Sequence, residues 1–393
     1  MKPERFLPRR LNFDPRRNCR RRSAAHIAVF IFGLSTAALV TDAQQSVPTA
    51  VQDQAPTLSG ARLAEFTSLE PIDTHTHVFQ TGPAFVAMLE RLHMHLLDIL
   101  VVDDTRPSQT STEPQRQDAL TFVAASVGHA QLCTTFNPFQ FNDPSFPKEA
   151  IEALNEDFAR GAVAVKIWKN VGMELKNASG EYVMPDDPRL EPIYKDIAAH
   201  HKTLIAHLAE PDTAWGSQDP KAPYARYYRA NPQWDMTKKP GAPPKKAILQ
   251  ARDHLLAMNP DLRVVGAHLG SMEDDLDKVD AHLRRYPNFA VDTAARVLSF
   301  IIQPRDKVQA FILKNQDRIV YGTDLGFRSG SDQTAVQEWE SQYALDWRYF
   351  ATDDTFEYHG HKVKGLNLPR SVLKKVYHDN AVHWIPGIDA NLR

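Results

Sequence analysis

The sequence predicts an α/β fold, a (β/α)8 TIM barrel with a metal site at the C-terminal face of its strands. Between residues 70 and 323, eight short apolar runs of strand character alternate with helix-like segments. A His-x-His pair closes the first run, where a doubly wound open sheet would usually carry a Gly-rich phosphate loop. The alternation of strands and helices would also fit a doubly wound open sheet, which is the alternative.

The eight strand candidates are apolar runs bounded by polar or turn-forming residues. They span residues 70–75, 96–102, 131–136, 162–167, 203–207, 263–268, 289–293 and 318–323. Amphipathic stretches with the spacing of surface helices lie between them, at residues 151–160, 192–201, 245–258 and 274–285. Because each strand is followed by a helix, the strands should be parallel and their carboxyl ends should share one face.

Two connections, residues 211–244 and 326–369, are longer than a barrel needs and are rich in aromatic residues. Long loops at the carboxyl ends of barrel strands are where substrate pockets form. We expect most of these aromatic side chains to pack the loops against the barrel. A few, Trp215 first among them, should contact substrate.

Residues 1–43 differ in kind from the rest of the chain. Nine basic and three acidic residues accompany an apolar run at 24–40, and a small residue, Ala43, follows. This order is typical of a secretory signal, with an uncleaved membrane anchor as the alternative. Residues 44–68 are interpreted as a linker and residues 69–390 as the catalytic domain. We therefore expect an exported protein, periplasmic or secreted.

Without those 43 residues the chain keeps 37 basic and 45 acidic side chains, a formal net charge of −8. A basic surface for nucleic acid is therefore not expected. Cys133 is the only cysteine beyond residue 43, so an intramolecular disulfide is excluded and a buried apolar role is expected for it. The expected partner is a small-molecule substrate, with a second copy of the chain as a further candidate and no membrane contact in the mature form.

Five residues of metal-binding type lie at the ends of predicted strands. His75 and His77 are two apart, so an extended strand points both imidazoles to one side. His207, His268 and Asp324 follow the fifth, sixth and eighth strands. Any one of these residues alone is more often structural than a ligand. Because the strand ends share one face of a barrel, the five together indicate a divalent metal site.

A second His-x-His pair is interpreted differently. His93 and His95 fall within the helix-like stretch 85–97, where residues two apart point away from each other. They also precede a strand rather than follow one. We do not expect a site there.

Three segments resemble the amidohydrolase superfamily. These are Ile-Asp-Thr-His-Thr-His at 72–77, Tyr-Gly-Thr-Asp at 321–324, and residues 366–387, which look like the carboxyl-terminal helix of its amidohydrolase-related branch. That branch includes metal-dependent hydrolases, lactonases and decarboxylases of the aminocarboxymuconate-semialdehyde type. The resemblance covers residues 70–387 and is specific for the barrel and its metal chemistry, but not for substrate.

The resemblance implies a role for each strand-end residue. His75, His77 and His207 would hold a divalent ion together with Asp324, and one Zn²⁺ is the first expectation because zinc accepts N and O donors and keeps a position open for water. The ion would lower the pKa of that water from 15.7 to about 7. Asp324 would be a catalytic residue as well as a ligand, moving the proton from the water to the leaving group. His268 would polarise the substrate oxygen.

The fourth strand adds two lysines, Lys166 and Lys169, for which two roles are open. Binuclear relatives use a carbamylated lysine from this strand to bridge two metals, which makes a two-metal site the alternative to a single ion. We favour the other role, in which the lysines bind an anionic substrate. Asp73 and Asp292 are expected to support the ligands from behind; a structural pair with Arg296 is the alternative for Asp292.

The resulting hypothesis is a metal-dependent hydrolase that cleaves an ester, lactone or amide bond in a small anionic molecule. Non-oxidative decarboxylation on the same site, a carbon–carbon lyase reaction, is the alternative. A non-catalytic barrel that binds a ligand through its aromatic loops is a third possibility, which the convergence of five metal-type residues disfavours. No local motif separates the first two.

Overall fold

The computed structural model describes residues 56–102, 112–216 and 224–389 of the chain. All of them fall within one compact unit, Ala43–Arg393. Among these described residues, no helix is both long enough and apolar enough to span a bilayer. The predicted secretory signal, residues 1–43, lies outside the described part of the chain.

Nine parallel strands form one sheet in the order β8-β7-β6-β5-β4-β3-β2-β1-β9. Each predicted strand has a counterpart, with ends that differ by a few residues. The strands are β1 Ile72–Val78, β2 His95–Ile99, β3 Ala130–Thr135, β4 Ala164–Ile167, β5 Thr203–Ala206, β6 Arg263–Gly266, β7 Phe289–Asp292, β8 Ile319–Val320 and β9 Leu325–Phe327. The predicted α/β TIM barrel is confirmed.

The sheet closes because its eighth strand is divided into two parts. β8 pairs with β7, whereas β9 pairs with β1 on the far side. Between them the backbone stays tied to β1: Thr74 N donates to Tyr321 O at 3.0 Å and Asp324 N donates to His75 O at 2.8 Å. β8, the connecting residues and β9 therefore act as one interrupted strand that returns to the first.

Helices cover the outside of the barrel. They are α1 Gly60–Thr67, α2 Pro83–Leu92, α3 Thr112–Ala125, α4 Phe146–Ala159, α5 Glu191–Ala199, α6 Ala225–Ala230, α7 Lys245–Met258, α8 Leu276–Arg285, α9 Val297–Ile301, α10 Arg305–Lys314, α11 Asp332–Ala351, α12 Arg370–Lys374 and α13 Asn380–Trp384. The helix predicted at 245–258 has the predicted ends, and the other three predicted helices overlap α4, α5 and α8.

The interior of the barrel is a packed layer to which each strand from β1 to β8 contributes. Its members are Ile72, Leu97, Ile99, Cys133, Ala164, Ile205, Val265, Ala290 and Val320. Trp384, Ile385 and Ile388 from the chain's last segment pack against the same layer. Cys133 is a free, buried cysteine, as expected. This layer supports the polar residues that lie nearer the carboxyl ends of the strands.

The longer of the two connections is largely helical. It contains α11 and a β-hairpin, Thr355–Tyr358 paired with His361–Lys364. Its aromatic residues are buried in the main core: Trp339, Tyr343, Trp347, Tyr349, Phe350 and Tyr358. These aromatics pack the connection onto the barrel, as expected of most of them.

One local prediction was wrong. The stretch 85–97 is not a continuous helix, because α2 ends at Leu92 and His95 opens β2. His93 caps the helix in the left-handed conformation with φ +49°. The ring of His95 stacks on that of His129 with centroids 4.8 Å apart.

Candidate active site

The five metal-type residues lie at the carboxyl ends of the strands, on one face of the barrel. His75 and His77 belong to β1, and His207 follows β5 directly. His268 follows β6 and Asp324 precedes β9, and both adopt left-handed backbone conformations, with φ +59° and +68°. Such conformations cost free energy in non-glycine residues and cluster at functional sites. The four histidines are buried, and about a third of the Asp324 side chain is exposed.

Three imidazoles of this group, those of His75, His77 and His268, lie around the Asp324 carboxylate. One ligand atom each from His75, His268 and Asp324 all lie within 4.8 Å of one another. The Nε2 atoms of His75 and His77 are 3.5 and 3.3 Å from Asp324 Oδ1. The ring of His207 packs edge-on against that of His268, with centroids 4.3 Å apart. His268, which the sequence analysis left off the metal, is therefore as close to the cluster centre as the predicted ligands.

Three of the imidazoles have their Nδ1 atoms committed to hydrogen bonds. A main-chain carbonyl can only accept, so an imidazole bonded to it must donate its Nδ1–H and present an Nε2 lone pair. The acceptors are Asp292 Oδ2, 2.8 Å from His75 Nδ1, Ile99 O, 2.8 Å from His77 Nδ1, and Ala294 O, 2.9 Å from His268 Nδ1. Metal-binding histidines are held in this way by the groups behind them.

His207 is buried with both ring nitrogens lacking a hydrogen-bond partner among the described residues. Its nearest acid is Glu210, whose Oε1 lies 3.7 Å from Nε2, beyond hydrogen-bond distance. An unpartnered buried polar group destabilises a fold, and native structures rarely retain one without a bound ion or water. A divalent ion bound to one of these nitrogens would satisfy that nitrogen, so an unpartnered His207 beside His268 fits a metal site.

The titration behaviour of these groups also suits metal binding. Burial lowers the pKa of His77 to about 4 and those of His207 and His268 well below their usual range, so these imidazoles are neutral. Burial alone would raise the pKa of Asp324. The neighbouring imidazoles of His77 and His268 instead hold its pKa well below its ordinary value. The site therefore offers neutral nitrogens and an ionised carboxylate.

Asp292, at the end of β7, braces two of the histidines. Its Oδ2 binds His75 Nδ1, and its Oδ1 accepts from the main-chain N–H groups of His268 at 2.6 Å and Ala294 at 3.1 Å. Burial would raise its pKa, but the hydrogen-bonded His75 ring lowers it below its ordinary value. Arg296 does not pair with Asp292; its Nε lies 3.6 Å from Glu273 Oε1.

Asp73 supports the site through the backbone. Its Oδ1 accepts from the main-chain N–H groups of His75 and Thr323, at 3.1 and 3.0 Å. Its Oδ2 accepts from the hydroxyls of Thr323 at 2.6 Å and Tyr343 at 3.2 Å. Burial raises its pKa to about 7 despite these bonds. Asp73 thus joins β1, which carries His75 and His77, to the interrupted eighth strand, which carries Asp324.

The two lysines of the fourth strand occupy different surroundings. Lys166 Nζ lies 2.8 Å from His75 Nε2, on the lone pair that a metal ion would use. Lys169 forms an ion pair with Glu210 and a 2.9 Å hydrogen bond to Tyr227 Oη. Of the two, only Lys166 contacts a histidine, so a bridging carbamylated lysine would have to be Lys166. Substrate binding by either lysine stays a prediction.

Trp215, the other predicted substrate contact, is half-buried and donates its Nε1–H to Pro243 O at 3.0 Å. A different tryptophan lies closer to the ligands. The ring of Trp168 is 5.8 Å from that of His77 and 6.0 Å from that of His207, centroid to centroid. Its Nε1 is buried without a partner among the described residues. The sequence offered one signal for Trp168, its position at the end of β4 between the two lysines.

The charged groups around the cluster do not balance. With Asp73 left out, because burial raises its pKa to about 7, four carboxylates counted as ionised exceed three cations by one: Asp292, Asp324, Glu210 and Glu273 against Lys166, Lys169 and Arg296. With the imidazoles counted as neutral, this group of residues has a formal charge of −1, which a divalent ion would change to +1. Buried charge is costly unless it is compensated, so this imbalance also favours a bound cation.

Comparisons with known proteins identify the family of this chain. A family model described as "Amidohydrolase" matches residues 72–386. No curated protein matches. Solved structures with the same fold include an uncharacterized TIM-barrel protein from Bordetella bronchiseptica, with 16% identity over 81% of this chain and 99% of that chain and a TM-score of 0.48.

Two further structures are enzymes. A 2,6-dihydroxybenzoate decarboxylase from Rhizobium has 14% identity, covering 80% of this chain and 98% of its own, with a TM-score of 0.46. A 4-oxalomesaconate hydratase from Rhodopseudomonas palustris has 11% identity, covering 82% and 97%, also with a TM-score of 0.46. At these identities and scores the likeness concerns the fold alone.

Proposed function

The chain belongs to the amidohydrolase family, and we propose that it is a metal-dependent hydrolase that cleaves an ester, lactone or amide bond in a small anionic molecule. One observation supports this most directly: His77 and His268 donate their Nδ1–H atoms to main-chain carbonyls, so their Nε2 lone pairs remain available beside the Asp324 carboxylate, whereas the Nε2 lone pair of His75 faces Lys166 Nζ at 2.8 Å. A divalent ion held there, zinc first, would act as a Lewis acid and lower the pKa of a water molecule to about 7.

The residues that would hold the ion are His75, His77, His207 and Asp324. Three neutral imidazoles and one carboxylate make a donor set that zinc accepts with a position left open for chemistry. His207 supports this assignment because both of its ring nitrogens lack hydrogen-bond partners among the described residues. The buried Asp292 would keep His75 in the tautomer that ligation needs.

Asp324 would accept the proton of the attacking water, because its carboxylate is ionised at neutral pH and its side chain is partly exposed. His268 would receive a hydrogen bond from the same water. Its Nδ1–H is directed to Ala294 O, so Nε2 presents a lone pair rather than a proton. This acceptor role replaces the one expected from the sequence, in which His268 polarises the substrate oxygen as a donor.

The charge balance supports an anionic substrate. With a divalent ion the site would have a formal charge of +1, which a single substrate carboxylate neutralises. The count predicts that monoanions bind better than neutral analogues or dianions. Comparing the KM values of a lactone acid and its methyl ester measures this preference.

The proposed function is tested by supplying zinc to chelator-treated protein and assaying lactones, esters, amides and aromatic acids for both acid release and carbon dioxide. Zinc-dependent acid release is the expected result. Carbon dioxide without acid release would establish the decarboxylase alternative instead. Asp324→Asn should abolish turnover in either case, because the amide cannot accept the proton.

The variant His268→Asn tests whether His268 binds the ion or only orients the water beside it. If His268 orients water beside a single ion held by the other residues, the variant should keep its zinc and lose turnover. Loss of the zinc as well would make His268 a ligand, which its position within 4.8 Å of His75 and Asp324 allows geometrically. Zinc per chain, measured by mass spectrometry after gel filtration, distinguishes the two results.

We also propose that the protein is exported and that residues 1–43 are removed. The basic block followed by an apolar run supports this. Expression of the full chain in a bacterium, fractionation and N-terminal mass spectrometry should find a mature form that begins near Gln44 in the periplasm or medium. A full-length chain in the membrane fraction would favour the anchor alternative. The same purified material shows by light scattering whether the protein is a homodimer.

A further inference from the structure

The ring of Trp168 lies over the barrel interior, at the carboxyl end of β4. Side chains alternate along a strand, so Ala164, Lys166 and Trp168 point to the same side of the sheet. Ala164 belongs to the packed interior layer, and Trp168 packs against that layer as a partly buried residue. Lys166 Nζ lies 5.0 Å from the centre of the Trp168 ring. Trp168 is therefore the inward-facing side chain of segment 164–168 that lies nearest the candidate active site.

Two of the proposed metal ligands border the same ring. The centre of the Trp168 ring is 5.8 Å from that of His77 and 6.0 Å from that of His207, with interplanar angles of 36° and 45°. The interior layer and Lys166 cover the ring from the barrel side, and the two imidazoles flank it. Trp168 nevertheless stays partly exposed. Its exposed part therefore faces away from the interior, into the space above the ligands where barrel enzymes bind substrate.

The cation on the inner side of the ring affects what its outer face can bind. The ammonium of Lys166 attracts the π electrons of the indole toward itself. The opposite face is then suited to a flat, electron-rich group, and a stacked anion stays near the positive charge. A puckered, saturated ring of the same size makes fewer close contacts with the indole and gains no interaction between π systems.

We propose that Trp168 is a specificity-determining residue whose exposed ring face stacks on the substrate, and that the substrate is a flat, unsaturated acid. This inference deepens the proposed function and rests on it for the reaction that the substrate undergoes. Because Trp168 borders His77 and His207, the flat part of the substrate lies next to the bond that is cleaved. Trp168 binds and orients the substrate and takes part in no bond change.

Phe79 provides a matched control on the other side of the same ligand. Its ring stacks on that of His77 with centroids 6.5 Å apart and an interplanar angle of 23°, and it is partly buried, as Trp168 is. It packs, however, against a cluster between β3 and α3 that lies outside the barrel interior: Leu100, Ala119, Leu132 and Ala162. Removal of either aromatic ring takes a neighbour from His77, but only Trp168 lies over the interior.

The test measures binding rather than turnover, with two acids that have the same charge and the same number of carbon atoms. Benzoate is flat, and cyclohexanecarboxylate is puckered. Calorimetric titration of the zinc-loaded protein gives the dissociation constant of each acid. Aromatic pairs add to affinity beyond the area that they bury, by about 2- to 13-fold. We expect the wild type to bind benzoate more tightly by a factor in this range.

The variants assign that preference to one ring. Trp168→Leu should make the two dissociation constants nearly equal, whereas Trp168→Phe should keep part of the preference for benzoate. Phe79→Leu should keep the wild-type ratio, and unchanged zinc content in each variant shows that the ion site is intact. Equal binding of both acids by the wild type, or an unchanged ratio in Trp168→Leu, would overturn the proposal. A wild type that binds neither acid would also overturn it.

A spectroscopic readout keeps the test decisive if Trp168→Leu does not fold. A ring that stacks on an indole perturbs the long-wavelength absorbance of tryptophan. Benzoate should therefore produce a difference spectrum with the wild type and with Phe79→Leu. It should produce none with Trp168→Phe, which removes one of the six tryptophans of the chain. The wild-type difference spectrum in Trp168→Phe would refute stacking on this ring.

The two proposals fail in different ways, because binding is measured without turnover. If the zinc-loaded wild type prefers benzoate through Trp168 but releases acid from no ester, lactone or amide, the hydrolytic function is wrong and the role of Trp168 stands. If the wild type is a hydrolase and Trp168→Leu leaves the ratio of dissociation constants unchanged, only the assignment of Trp168 is wrong.

Discussion

Replacing Asp292 with asparagine should weaken metal binding through a tautomer change in His75. The aspartate accepts the His75 Nδ1–H at Oδ2 and two main-chain N–H groups at Oδ1. Because those N–H groups select the amide oxygen, the variant would turn its NH₂ group toward Nδ1. Nδ1 would then have to accept, and the ring proton would move to Nε2, where it blocks ligation.

The expected loss of zinc affinity follows from the effect of groups that hydrogen-bond to metal ligands. Loss of such a partner usually lowers metal affinity about 10- to 100-fold, or about 1.4 to 2.7 kcal/mol. We expect the upper part of this range, because the amide actively selects the wrong tautomer rather than merely removing a hydrogen bond. Competition with a chromogenic chelator at pH 7 gives the zinc affinity.

Asp98→Asn is the matched control. Asp98 is a buried carboxyl on β2 that accepts the Val78 N–H at 2.7 Å and contacts no imidazole nitrogen. Burial raises its pKa to about 8, so the substitution replaces a mostly neutral acid with a neutral amide. Zinc affinity should change less than about three-fold in this control. An Asp292→Asn protein that binds zinc as tightly as the wild type would refute the tautomer argument.

Two further predictions concern stability. Burial, with the charge of His129 second, lowers the pKa of His95 from 6.5 to about 4. The free energy of unfolding that depends on neutral His95 is therefore fully present above pH 6.5 and is lost as pH falls toward 4, by about 3 kcal/mol in total. Urea unfolding at several pH values should show a correspondingly smaller loss for His95→Gln. Parallel pH curves for the variant and the wild type would contradict this. Asp346 accepts hydrogen bonds from the hydroxyls of Tyr321 at 2.8 Å and Tyr358 at 2.7 Å. Asp346→Ala should therefore lower the free energy of unfolding by about 3 kcal/mol. A loss below about 1 kcal/mol would contradict the role of these bonds.

The barrel could be predicted because its signals are local. Apolar runs and their spacing reveal strands whether or not the partner strands are known. His75 and His77 could be assigned to one site because residues two apart in a strand point to the same side, and Asp324 because it follows another strand. A parallel barrel then brings the strand ends to one face without further information. The interruption of the eighth strand at residues 321–324 was harder to predict, because it depends on pairing with both β7 and β1.

Other features depend on contacts between distant residues. The ion pair of Lys169 and Glu210 joins two strand ends, and Tyr227 reaches it from a connection that showed no periodic pattern. α11 was hidden because apolar and polar residues are spread around it, so it lacks the clear stripe of a surface helix. His95 was assigned to a helix because the apolar spacing before it continues past Leu92, where the chain turns.

The central claim is that His75, His77, His207 and Asp324 hold one divalent ion. Crystals of the zinc-loaded protein, with diffraction recorded on both sides of the zinc absorption edge, test it most directly. The account predicts one anomalous peak about 2.0 to 2.2 Å from one nitrogen of each of the three histidines and an oxygen of Asp324. A peak elsewhere, a second peak beside Lys166, or no peak at full zinc loading would contradict it.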